Sequence, residues 1–287
     1  MNSFKKELEK RHHFVLKFIQ DHLEIWEKYK QTQEKSLGVE YKEDQSIVTL
    51  CDQELERNFR TQIHDHFPED LVYGEEFLQE NPKEDLLWKT SSKQFIWTID
   101  TLDGTSSFFY SVPLFGSLYG LIYEGKVVYG LACLPALKEY FWAFEDSPVY
   151  YLAEENIQEI KVISSSDKKD KKDKNEEKSD KKKMLIVYSS VESFKKTHQF
   201  HLLTKLLEGP HVVRSWGDVF AYSLLLKNKA SLVVDADLKL WDFIPLSLIL
   251  KQAGFSYRTF ENTTVSRPEG NIISGSQKDL SNFFGKE

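Results

Sequence analysis

Cysteine is nearly absent: Cys51 and Cys133 are the only two in 287 residues. Two thiols cannot build a disulfide framework or a four-ligand zinc site, and both read as small buried hydrophobes in a reducing, cytoplasmic setting. No run of about 18 apolar residues occurs, which excludes a membrane-spanning helix. The opening stretch, Met1 to Phe14, is charged throughout and lacks the apolar segment of a secretory signal. Basic excess is lacking as well. The 38 Lys and Arg stand against 45 Asp and Glu, a net charge of −7, which argues against a general nucleic-acid binder. There is no Gly-x-Ser-x-Gly elbow and no His-Glu-x-x-His pair, and His64 and His66 read as a helix end. Gly120 to Lys126 imitates a phosphate-binding loop, but Val127 stands where Ser or Thr would bind Mg²⁺, so a hairpin turn is the reading. Aromatics are plentiful: 20 Phe, 13 Tyr and 6 Trp supply a sizeable core.

One segment breaks this composition. Residues 164–183 contain no apolar side chain and carry a charge of +3 from nine lysines and six acids. Such a tract has nothing to bury and reads as a solvated, disordered insertion; the interleaved acids weaken a polybasic-arm reading. It divides the chain into an N-terminal α+β half, 1–163, and a C-terminal α/β half, 184–287. The first half opens with an apolar stripe on one long helix (Phe4, Leu8, Val15, Ile19, Leu23, Trp26), then a second helix through Leu55, Phe59 and Ile63. Strands are expected at Leu71–Tyr73, Phe95–Ile99, Leu114–Tyr123, Lys126–Leu134 and Glu139–Phe144. The second half alternates: strand Leu185–Tyr188, helix Ser193–Leu207, strand Val212–Arg214, helix Val219–Leu226, strand Leu232–Val234 and helix Leu246–Ala253. This alternation predicts an α/β layered sandwich.

The informative segment is Trp97 to Thr105. A buried strand delivers Asp100 at its C-terminal end, Asp103 follows across a turn, and Gly104 frees the backbone there. Thr105 is placed to cap a short helix. Two carboxylates three residues apart on a turn, with the Leu102 carbonyl between them, can converge on one cation, and all-oxygen ligation suits a hard ion such as Mg²⁺. Glu75 and Glu76 also sit at a strand end, and Asp242 follows an apolar run just before a helix. So many acids at the ends of core elements are costly unless a cation neutralises them. An EF-hand loop beginning at Asp100 fails, since Thr105 stands at its glycine position and Ser111 at its glutamate position.

These residues resemble the inositol monophosphatase superfamily of Mg²⁺-dependent phosphomonoesterases. Four elements of that family stand here in order: Asp44 to Asp52, Gly74-Glu75-Glu76, Trp97 to Phe108, and Trp241-Asp242 followed by Gln252-Ala253-Gly254-Phe255. Within the superfamily, Val112 to Leu118, Leu134 to Ala143, Gly74 to Phe77 and Arg214 to Asp218 look like stretches of the histidinol-phosphatase branch. There are departures. Thr101 stands where the family has Pro, Ser106 and Ser107 replace a Thr-Asn pair, Ile244 and Pro245 replace two alanines, and Gln252 and Phe255 replace a Glu and a Gly. None removes a metal ligand.

The resemblance implies an αβαβα sandwich, a homodimer, and hydrolysis of a small-molecule phosphate ester, with neither nucleic acid nor membrane as partner. It implies that Glu75, Asp100, the Leu102 carbonyl, Asp103 and Asp242 bind two Mg²⁺ ions, with a third, weaker ion also using Glu75. Thr105 would orient the attacking water with Asp52 accepting from it, and Glu76 is a second candidate for that role. The phosphate would lie by Gly104 and Thr105, and the rest of the substrate near Trp216, Gly217, Asp218 and Asp235. The Gly217 and Asp218 amides open a helix and could hold an anion. The two acids favour a substrate with an amine or imidazole, histidinol phosphate first, while a polyol such as inositol phosphate is the alternative. A catalytically weak binding protein is the alternative of another class. Asp218 has a competing role as a helix cap.

Overall fold

The computed structural model describes residues 3–30, 40–41, 47–91, 93–160, 184–265 and 269–285. The lysine-rich tract and Asp44 to Ser46 of the first family element lie outside the described residues. The chain begins with α1 (Ser3–Asp21) and α2 (Leu23–Lys30), then a short antiparallel pair, β1 (Glu40–Tyr41) with β2 (Ile47–Val48), and α3 (Leu50–His66). The expected single first helix is two. His22 interrupts it: its backbone N–H reaches back to Phe18 and Ile19, and its imidazole bonds the Phe18 carbonyl at 2.7 Å.

Next come β3 (Leu71–Gly74), β4 (Ile96–Asp103), α4 (Thr105–Phe109), β5 (Gly116–Tyr123), β6 (Lys126–Leu134), β7 (Glu139–Phe144), β8 (Val149–Ala153) and β9 (Asn156–Ile160). These strands form a seven-stranded sheet in sequence order. Only β3 and β4 run parallel; the rest is an antiparallel meander. The remaining chain supplies β10 (Leu185–Tyr188), α5 (Val191–Lys196), α6 (Phe200–Glu208), β11 (Val212–Arg214), α7 (Asp218–Leu226), β12 (Leu232–Leu238), α8 (Leu240–Gln252), β13 (Ser256–Thr259), β14 (Gly270–Gly275) and α9 (Gln277–Phe284). A second sheet has the order β11-β10-β12-β14-β13.

Side-chain alternation assigns the layers. Trp97 and Ile99 of β4, Tyr119 and Leu121 of β5, and Tyr129 and Leu131 of β6 pack with Val15 and Phe18 of α1 and Leu55 and Phe59 of α3. Their neighbours Leu118, Ala132 and Leu134 face the other way, into a core shared with Tyr222 of α7, Phe243 and Ile249 of α8, and Val187, Val233 and Ile272 of the second sheet. The opposite face of that sheet, Ile186, Val234 and Ile273, packs on Phe194 of α5, Leu203 of α6 and Leu280 of α9. Helices, sheet, helices, sheet, helices: this is the αβαβα sandwich expected from the resemblance.

Two helix boundaries differ from expectation. The helix expected over Ser193–Leu207 is split by His198, at φ 58°. The Gln199 N–H bonds the Phe194 carbonyl and the His198 N–H that of Lys195, a helix stop that no glycine announces. The helix expected from Leu246 begins at Leu240, so Pro245 lies inside it and Asp242 in its first turn. Among the described residues no helix is long and apolar enough to cross a membrane.

Candidate active site

Strands β3 and β4 pair in parallel with Gly74 opposite Ile99, which sets Glu75, just past β3, beside Asp100; Asp100 lies within β4 and not at its end as expected, because β4 continues to Asp103 against β5. The β4–β5 register shifts between Asp100 and Asp103, and Asp100 Oδ1 accepts the Leu102 N–H at 2.9 Å across that bulge. Asp242 arrives from the far side of the shared core, on the first turn of α8, where its Oδ2 accepts the Lys239 N–H at 2.9 Å. Glu75, Asp100 and Asp242 each bring a carboxylate oxygen to within 4.8 Å of the others. Burial, and then repulsion from Glu75, pushes the Asp100 and Asp242 carboxyls well above the usual carboxylate range. Asp103 is raised likewise by burial, then by Asp218 and Asp242. A hard, oxygen-seeking cation fits this donor set, because it removes the repulsion that otherwise forces protons onto the carboxylates.

Thr105 sits differently from the cap expected of it. Gly104, at φ 80°, is the residue before α4 and makes no side-chain cap bond. The Thr105 hydroxyl donates instead to Asp52 Oδ1 at 2.9 Å, the nearer of two acceptors, with the Leu102 carbonyl oxygen at 3.2 Å. Asp52 is held in turn: in the first turn of α3, its Oδ2 accepts the Thr49 N–H at 2.8 Å and the Thr49 hydroxyl at 2.5 Å. Burial raises Asp52 to about 6, against the pull of these donors. Glu76 is half-buried and lies outside the trio of converging carboxylates.

Beside Asp103 and Asp242 opens a cavity of about 140 Å³, lined among others by Ser189, Ser190, Ser193, Asp218, Asp235 and Asp237. Asp235, on β12, is raised to about 7 by burial and then by Asp218, and accepts from the Tyr222 hydroxyl at 3.3 Å. Burial raises Asp218 to about 6. Asp218 makes no capping bond for α7; its carboxylate lies against Gly104, where a Cβ would meet Oδ2 at 2.8 Å. The anion at this helix start is Asp103, whose Oδ2 accepts the Val219 N–H at 2.6 Å. That bond lies one residue beyond the Gly217 and Asp218 amides to which the sequence assigns anion binding. Trp216 and Gly217 do not line the cavity, and Trp216 is 40% exposed.

Ser189, Ser190, Ser193 and Asp237 escape a reading of the sequence alone. Ser189 and Ser190 directly follow the apolar run Leu185–Tyr188, and a position just past a strand's carboxyl end is the signal that marks them. Asp237 is ion-paired to Lys196 and Lys239, both at 2.6 Å.

Two sheets with helices between and outside them, and carboxylates converging from both halves, define a metal-dependent phosphoric monoester hydrolase. The chain belongs to the inositol monophosphatase family, whose profile matches residues 13–284. Members of this family use a divalent metal. The chain is 29% identical over 227 residues to a histidinol-phosphatase from Chlorobaculum parvum, covering 78% of each chain. It is 24% identical over 252 residues to a fructose-1,6-bisphosphatase/inositol-1-monophosphatase from Aquifex aeolicus, covering 87% of this chain and 84% of that one. The fold is similar to that of an inositol monophosphatase from Zymomonas mobilis, with a TM-score of 0.71, 22% identity, and coverage of 99% of this chain and 100% of that one.

Proposed function

We propose that the chain is a Mg²⁺-dependent phosphatase for a small phosphate ester with a cationic alcohol, histidinol phosphate first. The observation that carries this reading is the cavity beside Asp103 and Asp242, where Asp218 and Asp235 add two acids with no basic partner among the lining residues. A cationic leaving alcohol gains from such carboxylates more than a neutral one. The histidinol-phosphatase among its relatives supports the same choice.

In this reading Glu75, Asp100, the Leu102 carbonyl, Asp103 and Asp242 hold two Mg²⁺ ions, with a third, weaker ion sharing Glu75. Bound Mg²⁺ supplies Lewis-acid neutralisation of the phosphoryl oxygens. The protein's own part is positional. With its proton committed to Asp52, the Thr105 hydroxyl is left with lone pairs to accept from an attacking water; Glu76 is the second candidate for that contact. Gly104 and Thr105 contact the phosphate in this reading, while the space a Gly104 side chain would take is held by the Asp218 carboxylate. The reading includes a homodimer in a reducing, cytoplasmic setting. The exposed Tyr110 and Val112 beside α4 support the dimer, which light scattering checks; the two buried free cysteines fit the setting.

Inositol phosphate is the second reading, favoured by the serine hydroxyls at 189, 190 and 193, which can bond a polyol. Phosphate release from histidinol phosphate, inositol 1-phosphate and 3′-phosphoadenosine 5′-phosphate, measured side by side with and without Mg²⁺, decides. Histidinol phosphate is expected to show the highest kcat/KM, by a factor of about 10 to 100, as one partly buried charge contact supplies. A preference for inositol 1-phosphate would sink the substrate choice. Failure to cleave any ester, p-nitrophenyl phosphate included, would leave a binding protein.

A further inference from the structure

We propose that Glu56 is a positioning residue for the cation site, fixing the backbone that presents Glu75. The proposal rests on the reading of Glu75 as a cation ligand. Helix α3 places Asp52 and Glu56 four residues apart, on one face, and both are buried. Asp52 holds Thr105. Glu56 holds the loop after β3: its Oε2 accepts the Glu76 N–H at 2.8 Å and its Oε1 the Phe77 N–H at 3.2 Å. The residue before Glu75 is held as well. Asn81 Oδ1 accepts the Gly74 N–H at 2.9 Å, and Asn81 Nδ2 donates to the Gly74 carbonyl at 2.7 Å.

Arg60 joins the two clamps. Its Nε donates to Glu56 at 2.9 Å, one terminal nitrogen to Asn81 Oδ1 at 2.7 Å, and the other to the Val72 carbonyl at 3.1 Å. The fit leaves no slack: a Cβ on Gly74 would stand 2.5 Å from Glu56 Oε1. The backbone is therefore gripped on both sides of Glu75.

The grip has work to do. Glu75 is aimed at Asp100 and Asp242, and like charges drive such a loop outward when no cation is bound. A loop free to swing would have to be ordered by the incoming ion, and that ordering cost would come out of its affinity. A buried carboxylate that accepts two loop amides and is itself paired with Arg60 does the ordering during folding.

The test is Mg²⁺ titration by calorimetry, without substrate, on wild type, Glu56→Gln, Asn81→Ala and the exposed helix control Thr61→Ala. Glu56→Gln and Asn81→Ala are each expected to raise the Mg²⁺ dissociation constant at least about tenfold, which is ~1.4 kcal/mol. The Mg²⁺ concentration for half-maximal activity should rise alike, while KM for the ester at saturating Mg²⁺ stays within about threefold and Thr61→Ala changes neither. A folded Glu56→Gln that melts lower yet binds Mg²⁺ as wild type overturns the proposal, since Glu56 then only stabilises the helix. Should Glu56→Gln not fold, Asn81→Ala, which lies outside α3 and removes a single Arg60 contact from it, gives the decision on the same terms. Wild type that binds no Mg²⁺ overturns the metal reading and this proposal together. Binding lost in Asp100→Asn but kept in Glu56→Gln overturns this proposal alone.

Discussion

Asp100 is the residue on which the site turns. It is buried, it faces Glu75, Asp103 and Asp242, and its carboxyl is raised accordingly. Asp100→Asn removes a ligand and one of the repelling charges together. Activity at saturating Mg²⁺ is expected to fall well over tenfold, a barrier increase beyond ~1.4 kcal/mol, while the metal-free protein melts at the same temperature or higher. A variant retaining more than about a tenth of wild-type turnover would refute the ligand assignment. The same charges set a pH dependence. In the folded, metal-free chain Asp52, at about 6, and Asp235, at about 7, keep protons that an unfolded aspartate near 3.8 has released. The folded state binds the extra protons, so this contribution is complete below about 4 and is lost as pH rises through about 6 to 7. His12, lowered to about 4 by burial, works the other way, costing stability as pH falls from 6.5 towards 4, but it is one group against several. Thermal melts in EDTA are therefore expected to peak higher at about pH 5.5 than at about pH 7.5, with Asp235→Asn flattening the difference. The opposite slope in both proteins would show that the acids do not dominate.

Among the elements, α8 has the most demanding position, because it must bring Asp242 from the second half to the ends of β3 and β4. Gly120 and Gly130, directly opposite each other in the β5–β6 register, make the room. A Cβ at Gly130 would stand 2.3 Å from the Pro245 carbonyl oxygen, and one at Gly120 would meet the Ile244 side chain at 3.0 Å. Gly130→Ala is expected to destabilise by about 1–3 kcal/mol through overpacking and to lower activity as α8 shifts Asp242; calorimetric melting and turnover read the two effects. Unchanged melting would mean that the sheet yields without moving the helix. This element also marks where the sequence is legible. Lys126–Leu134 and Glu139–Phe144 are the strands that unbroken apolar and aromatic runs predict, because both faces of that sheet are covered. The start of α8 is hidden, because Pro245 reads as a boundary yet lies in the sixth position of a helix already under way.

For the whole molecule, the proposed cation ligands are legible because local motifs carry them, just past β3, at the bulge of β4 and in the first turn of α8. The cavity wall is not. Ser189 and Ser193 come from the passage of β10 into α5 and Asp237 from β12, and they meet Asp103 only through tertiary packing. Glu56 is silent for a related reason: on a helix rich in charge, only burial separates it from the half-buried Glu54 and the exposed Arg57. The lysine-rich tract, outside the described residues, enters the site through no motif. Replacing residues 164–183 with a short Gly/Ser linker is expected to leave melting temperature and kcat/KM within experimental error, since closure entropy varies only slowly with loop length. A large loss in either would show that the tract packs or acts.

The strand order of the second sheet has a consequence in time. β14, late in the sequence, pairs on one side with β12 and on the other with β13, so it is an interior strand inserted after its neighbours have been made. A ribosome emits the first sheet, with Glu75 and Asp100, long before Asp242, and Asp242 before the strand that completes the layer beneath its helix. A nascent chain thus carries Glu75 and Asp100 before Asp242, and the sheet beneath α8 lacks its interior strand until synthesis has passed Gly275. Termination between α8 and β14 would yield a polypeptide that owns every proposed cation ligand but lacks the interior strand of the layer beneath Asp242.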